Sequence, residues 1–400
     1  MSYKMKRVGD VIEEIAMGPF GSNIKVDCFV PSGIPVLNGS NLTGFTLSED
    51  SFNYVTPEKA ASLKKAVASR GDVVITHRGT LGQIAYIPVD SKYDKYVISQ
   101  SQFRVRCKKD EMLPEYMVYF FHSREGRHQL LSNSSQVGVP ALARPSSTFQ
   151  ELEMPVPPIE VQQAIADTLS ALDVRIAVNT AINHHLEQMA QAIFKSWFVD
   201  FEPFGGERPI DWHIVEFSSF LTLRTEKSND PTIPLFSVTD TGIYPRGEKF
   251  NKNLSKADTK NKIARETDIV FGMSREILNW GIMRSPIGGV SSAYNVFAVD
   301  SGINSKYLES FIRAHSFYFK DLIRPATREG QGVDKGALML KSIYLPPDNV
   351  LFDYYTIEDT LTAQIREKKA ESARLATLRD TLLPHLMSGE LSVANLGSAK

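Results

Sequence analysis

The sequence predicts α/β (α+β) globular domains, two in number, joined by an antiparallel coiled coil of two long helices in a pseudo-two-fold internal repeat. Three observations predict it. A Pro-Pro element occurs twice at one fixed offset. Each copy precedes a long stretch with helical periodicity and almost no Pro. Net charge also alternates along the chain: residues 1–150 carry +4, 151–203 carry −6, 204–350 carry +2 and 351–400 carry −1. The expected boundaries are 1–155 for the first globular block, 156–203 for the first helical region, 204–347 for the second block, and 348–400 for the second helical region and tail.

The repeat is anchored by Met154-Pro155-Val156-Pro157-Pro158 and Ile343-Tyr344-Leu345-Pro346-Pro347, offset by 189 residues. At that offset Leu172 meets Leu361, Ile176 meets Ile365, Leu186 meets Leu375 and Met189 meets Leu378. Ile193 meets Leu382, Phe194 meets Leu383, Trp197 meets Leu386 and Phe198 meets Met387. Further back the match is weaker. Gly71-Asp72-Val73-Val74-Ile75 resembles Thr267-Asp268-Ile269-Val270-Phe271 at offset 196, and Lys6–Val11 is set against His213–Ser218 at offset 207. A drifting offset means that the globular blocks have diverged by insertion while the helices have kept their length.

Residues from about 160 to 198 place Ile165, Leu169, Leu172, Ile176, Leu186, Ile193 and Trp197 on one seam, with Asn179 and Asn183 in its middle. Spacings of four and three are those of a coiled coil, and buried Asn there fixes register at some loss of stability. Residues from about 351 to 383 repeat the pattern through Leu361, Ile365, Leu375 and Leu382. Glu358, Lys368, Ser372 and Arg379 interrupt that second seam. One such helix alone would leave an apolar stripe in water, whereas two can cover each other.

The globular blocks mix short β-branched runs with Gly and Pro turns. In the first block the turn clusters offer Ser22, Asn23 and Lys25; Asn38 and Asn41; and Thr76, His77, Arg78 and Gln83. Gln100, Gln102 and Arg104 follow around the next strand, and Gln136 lies beyond it. In the second block the candidates are Arg224, Lys227, Arg246, Ser274, Arg275, Asn279, Arg328 and Gln331. Backbone N–H groups and short polar side chains on such loops suit phosphate oxygens. Arg or Lys pairs with guanine and Asn or Gln with adenine.

Other chemistries lack their motifs. There is no Gly-x-x-x-x-Gly-Lys-Ser/Thr phosphate loop, no acidic or amide residue before Pro-Pro-aromatic, and no Gly-rich cofactor loop after a strand. His184-His185 have no Cys or carboxylate at ligand spacing, so no metal site is expected. His77 has no visible nucleophile or orienting partner, and no catalytic residue is expected. Two cysteines, no signal-peptide stretch and no long apolar run point to a cytoplasmic chain away from membranes.

The layout resembles the specificity subunit of type I restriction–modification systems. The residues that carry the resemblance are Gly18-Pro19-Phe20-Gly21-Ser22, Gly71–Ile75 with Gly79 and Gly82, Ile98-Ser99-Gln100-Ser101, and above all Pro155–Ala166 continued by Leu169 and Leu172-Asp173. The resemblance covers nearly the whole chain. It implies two target recognition domains, each reading half of a bipartite duplex DNA site, with the helix pair as a ruler between them. It also implies two modification subunits carrying S-adenosylmethionine, and two restriction subunits using ATP and Mg, with no cofactor on this chain. The second block departs from the pattern, having Arg275-Glu276-Ile277-Leu278 in place of Gly79-x-x-Gly82. The second helix has Asp353-Tyr354-Tyr355 where the first has a Gln pair. The rival readings are a stand-alone DNA methyltransferase or nuclease, and a scaffold that does not bind DNA.

Overall fold

Two helices dominate the chain, Ile159–Phe198 with 40 residues and Asp348–Ser388 with 41. The structure is a computed structural model. It describes residues 3–19, 24–132, 134–135, 139–246, 260–274, 276–300, 302–323 and 333–393. The second helix runs past residue 383 and through Pro384. Proline forfeits a backbone donor there, but Leu386 and Met387 beyond it are buried and hold the last turn in place. The chain divides into two units, residues 1–181 with 368–400, and residues 182–367. Each long helix contributes a stretch to both.

The first unit is closed by an antiparallel pair, Met5–Arg7 with Glu153–Pro155. Its central sheet has the order Ile12–Met17, Gln102–Cys107, Asp72–Thr76, Ile84–Tyr86, all antiparallel. A second, mixed sheet has the order Asn53–Val55, Ile34–Leu37, Lys95–Ile98, Val67–Ser69. The core cluster joins Val73, Ile75, Phe103 and Val105 of the central sheet to Phe120, Phe121 and Phe149, and to Ile165, Leu169, Leu383, Leu386 and Met387 of the long helices. Asp173 pairs with Arg379 at 2.6 Å and Arg175 with Glu371 at 2.8 Å. Residue number rises on one helix as it falls on the other, so the two stretches are antiparallel.

The second unit repeats this plan. His213–Glu216 pairs antiparallel with Ser342–Leu345. The central sheet has the order Leu221–Arg224, Asn295–Val299, Ile269–Phe271, Trp280–Ile282. The Val8 amide donates to the Leu152 carbonyl and the Phe217 amide to the Lys341 carbonyl, each at 2.8 Å. Val8 therefore corresponds to Phe217, an offset of 209. The expected offset of 207 is corrected by two residues, because the closing strands rather than the charges set the register. The helix register at offset 189 holds. Ile165, Leu383 and Met387 in the first unit stand where Tyr354, Phe194 and Phe198 stand in the second. At that register the Gln162-Gln163 pair corresponds to Leu351 and Phe352, and Asp353-Tyr354-Tyr355 corresponds to Ala164-Ile165-Ala166.

Most of the predicted seam lies inward. Ile165 and Leu169 are fully buried, Leu186 and Leu361 nearly so, and Leu172, Ile176, Ile193, Trp197, Ile365, Leu375 and Leu382 are half-buried. In the second unit Phe194 and Phe198 are more deeply buried than the predicted Ile193 and Trp197. Asn179 and Asn183 are buried. The charged interruptions are paired: Glu358 with Lys306, Lys368 with Glu371, and Arg379 with Asp173. Met189 and Leu378, matched across the repeat, are about half exposed, at 50% and 46%.

Candidate nucleic-acid interface

The central sheets carry the clearest duplicated feature. Asp72 opens the third strand of its sheet, Asp268 immediately precedes the third strand of the other, and both are almost wholly buried. Each accepts a backbone N–H from three residues earlier, Ser69 at 2.9 Å and Arg265 at 2.8 Å. Each also holds a guanidinium in a two-bond fork, Asp72 that of Arg106 at 2.8 and 2.9 Å, and Asp268 that of Arg224 at 2.6 and 3.0 Å. Arg104 is 4% exposed and pairs with Glu14 at 2.6 Å and Asp72 at 3.5 Å. Arg104 and Arg224, predicted to face DNA, are therefore internal counter-charges, since a buried carboxylate requires a paired cation.

Hairpin loops of equal length follow these strands. The Thr76 amide donates to the Gln83 carbonyl at 2.9 Å, and the Gly272 amide to the Asn279 carbonyl at 2.8 Å. Residues 77–82 therefore correspond to residues 273–278.

In the first unit this loop is bonded outward to its neighbours. The His77 amide donates to the Ser101 carbonyl at 2.9 Å, and His77 Nε2 lies 3.2 Å from the Gln100 carbonyl. The Leu142 amide donates to the His77 carbonyl, and the Gly79 amide to the Pro140 carbonyl, both at 2.9 Å. Gln83 Nε2 donates to the Gly39 carbonyl at 2.9 Å. Gly79 and Gly82 have φ of 93° and 83°, a conformation that favours glycine. The 38–41 turn is braced by Asn38, which accepts from the Ser40 amide at 2.8 Å, and by Asn41, which accepts from the Asn38 amide at 3.0 Å. Four segments are thus fixed against one another, and Asn38, Arg78 and Gln100 are exposed on them; Lys25 is exposed outside them. Among the described residues the side chains of Arg78 and Gln100 have no partner. Burial pushes the His77 imidazole below its ordinary value.

Other expected contacts lie inside. Asn41, Thr76 and Gln102 are buried. Asn41 braces its turn by donating to the Ser48 and Ser51 carbonyls, and Gln102 accepts from the Ser99 amide. In the second unit Ser274 is buried and accepts from the Asn279 amide at 2.9 Å, while Asn279 Nδ2 donates to the Met273 carbonyl at 2.6 Å. That loop is bonded to itself, and it exposes Glu276 and Ile277. Lys227 is exposed and Arg246 half-buried. Ser22, Asn23, Gln136, Arg275, Arg328 and Gln331 lie outside the described residues.

Sequence reasoning missed the short helix Arg124–Leu131. Arg124, Arg127 and His128 are exposed on it, together with Glu125. The Arg127 guanidinium lies against Gly82, where an added Cβ would meet it at 3.8 Å. The i, i+3, i+4 spacing of these basic residues was the available signal.

Residues 2–188 match the family model described as "Type I restriction modification DNA specificity domain". The MjaIX type I restriction enzyme specificity subunit of Methanocaldococcus jannaschii is 26% identical over 98% of this chain and 94% of that protein. Over nearly its whole length the chain is thus similar to a type I restriction enzyme specificity subunit, and residues 2–188 carry the DNA specificity domain. The HindI specificity subunit of Haemophilus influenzae is 35% identical over 35% of the chain and 30% of its own length. The fold of a solved S subunit from M. genitalium covers 97% of this chain and 96% of that chain, with TM-score 0.54 and 14% identity. Among the described residues no helix is long and apolar enough to cross a membrane, and no cluster of three or more His, Cys, Asp or Glu could hold a metal ion.

Proposed function

We propose that this chain reads a bipartite site on duplex DNA, one half by each globular block, residues 1–155 and 204–347. The observation that carries this reading is the duplication itself. Two sheets of the same strand order, each with a buried Asp and a hairpin loop of the same length, occur on one pair of long helices. Loops braced by a rigid sheet present side chains to base edges, while Lys and Arg beside them fix register on the phosphates. The helical regions 156–203 and 348–400 set the gap between the half-sites.

Methyl transfer and cleavage belong to partner subunits on this reading. Two modification subunits supply S-adenosylmethionine, and two restriction subunits supply ATP and Mg. The chain itself binds neither cofactor, carries no catalytic residue and works in the cytoplasm. Co-expression with a modification subunit, followed by mapping of methylated bases in host DNA, tests it. One motif of two halves around a fixed gap is expected. Absence of methylation beside a folded, cofactor-loaded modification subunit would leave only a scaffold.

A further inference from the structure

Three arginines on the strands and turns of the first globular block are already paired. Arg104 and Arg106 neutralise Asp72 and Glu14, and Arg70 pairs with Asp94. Arg78 differs. The backbone on either side of it is pinned, at His77 to Ser101 and at Gly79 to Pro140, and Arg78 itself bridges to Ala141. Its guanidinium is exposed and unpartnered among the described residues. A fixed Cα beneath a free planar fork is the arrangement that loses least entropy on binding a fixed acceptor pair.

Gln100 is held beside it. His77 Nε2 donates to the Gln100 carbonyl at 3.2 Å and leaves the Gln100 amide side chain in solvent. Burial keeps the His77 ring neutral at physiological pH, so the nitrogen facing that carbonyl carries the proton. Next to Gln100 lies a hollow of about 180 Å³ with a floor of Val36 and Leu37, and Phe29, Asn38 and Ser99 around it. An amide beside an apolar hollow matches one base pair in particular. Adenine offers N6 and N7 to the amide, and thymine offers a 5-methyl group to apolar surface. The fork of Arg78 matches O6 and N7 of guanine.

We propose that Arg78 reads a guanine, and Gln100 with its neighbouring hollow an A·T pair, in the half-site of the first globular block, and that His77 is the positioning residue that sets the two readers relative to each other. This rests on the bipartite DNA reading above.

The test is methylation mapping of the complex formed with the modification subunit, comparing wild type with Arg78→Ala, Arg78→Lys, Gln100→Ala, His77→Ala and His77→Gln. Arg78→Ala is expected to lower preference at one guanine of one half by roughly tenfold to a hundredfold, with the gap and the other half unchanged. Arg78→Lys should keep part of that preference. Gln100→Ala should relax one A·T position. His77→Ala should relax both, and His77→Gln, which can still donate to the carbonyl, should restore them. On synthetic duplexes, deoxyuridine in place of thymine at the Gln100 position should weaken wild-type binding several-fold. An unchanged motif in Arg78→Ala and Gln100→Ala would overturn the proposal. So would a uniform loss of DNA affinity with the motif intact, which would make these residues phosphate contacts. If wild type itself yields no gapped motif, the bipartite reading fails instead.

Discussion

The two hairpin loops have the same length and the same supporting strands, yet opposite wiring. Loop 77–82 sends its bonds outward, through His77, Gly79 and Gln83, to segments 99–102, 140–142 and 38–41. Loop 273–278 turns its bonds inward, through Ser274 and Asn279. Among the described residues the first presents an arginine, the second a glutamate and an isoleucine. A scaffold duplicated with its buried Asp intact has thus kept the frame and changed what the frame displays. The same contrast runs into the helices, where an aliphatic contact of Ile165, Leu383 and Met387 stands against an aromatic one of Tyr354, Phe194 and Phe198.

The largest effect that sharpens this comparison comes from the shared aspartates. Asp72→Ala takes a buried carboxylate from two arginines, Arg104 and Arg106, leaving them Glu14 alone, and should destabilise the first unit by about 3–5 kcal/mol. Asp268→Ala strands Arg224 alone and should lose about 2 kcal/mol from the second unit. Denaturant unfolding of the two variants would show whether the order holds. Equal losses would mean that Arg104 relies on Glu14 instead.

Loop wiring comes next. Gln83→Ala removes the bond to the Gly39 carbonyl and should loosen the first half of the methylated motif, at about 1 kcal/mol in stability. Asn279→Ala, at the equivalent position, should leave that half untouched. Motif mapping of the pair separates outward from inward wiring.

Backbone strain gives a smaller contrast. Gly71 and Thr267 occupy equivalent positions with φ of 85° and 71°. A β-branched residue is strained there. Thr267→Gly should stabilise the second unit by about 1 kcal/mol and Gly71→Thr should destabilise the first by at least as much. Shifts in thermal midpoint would check both.

The smallest effect is one of pH. Burial pushes the His122 imidazole below its ordinary value although its Nε2 donates to the Ile84 carbonyl at 2.8 Å. The folded ring binds its proton less tightly than the unfolded one. Stability is therefore complete above about pH 6.5 and declines as pH falls below it. His315 in the second unit is shifted the same way by burial. His122→Gln should flatten the acid limb for the first unit alone, as followed by hydrogen exchange of its central sheet.

Much of this was legible in the sequence. The Pro-Pro anchors placed both helices and their register, because Pro ends the closing strand and admits a helix right after it. The duplicated Gly-Asp and Thr-Asp marked the equivalent strands. Which polar residues face solvent was less visible. Gln102 and Arg104 alternate with Phe103 and Val105, which suggests one wet face to the strand. That face is covered instead, and Arg104 Nε donates to the Lys65 carbonyl at 3.2 Å. The two loops line up in the sequence, with Arg275-Glu276-Ile277-Leu278 in place of Gly79-x-x-Gly82, although they share no residue at equivalent positions. Their different wiring shows only in the hydrogen bonds.

The central claim is that each globular block reads its own half-site. Replacing residues 1–155 with the corresponding block of a related specificity subunit, in complex with the modification subunit, tests it most directly through the methylated motif. The account predicts that one half changes while the gap and the other half stay as they were. A change in both halves, or a continuous motif without a gap, would contradict it.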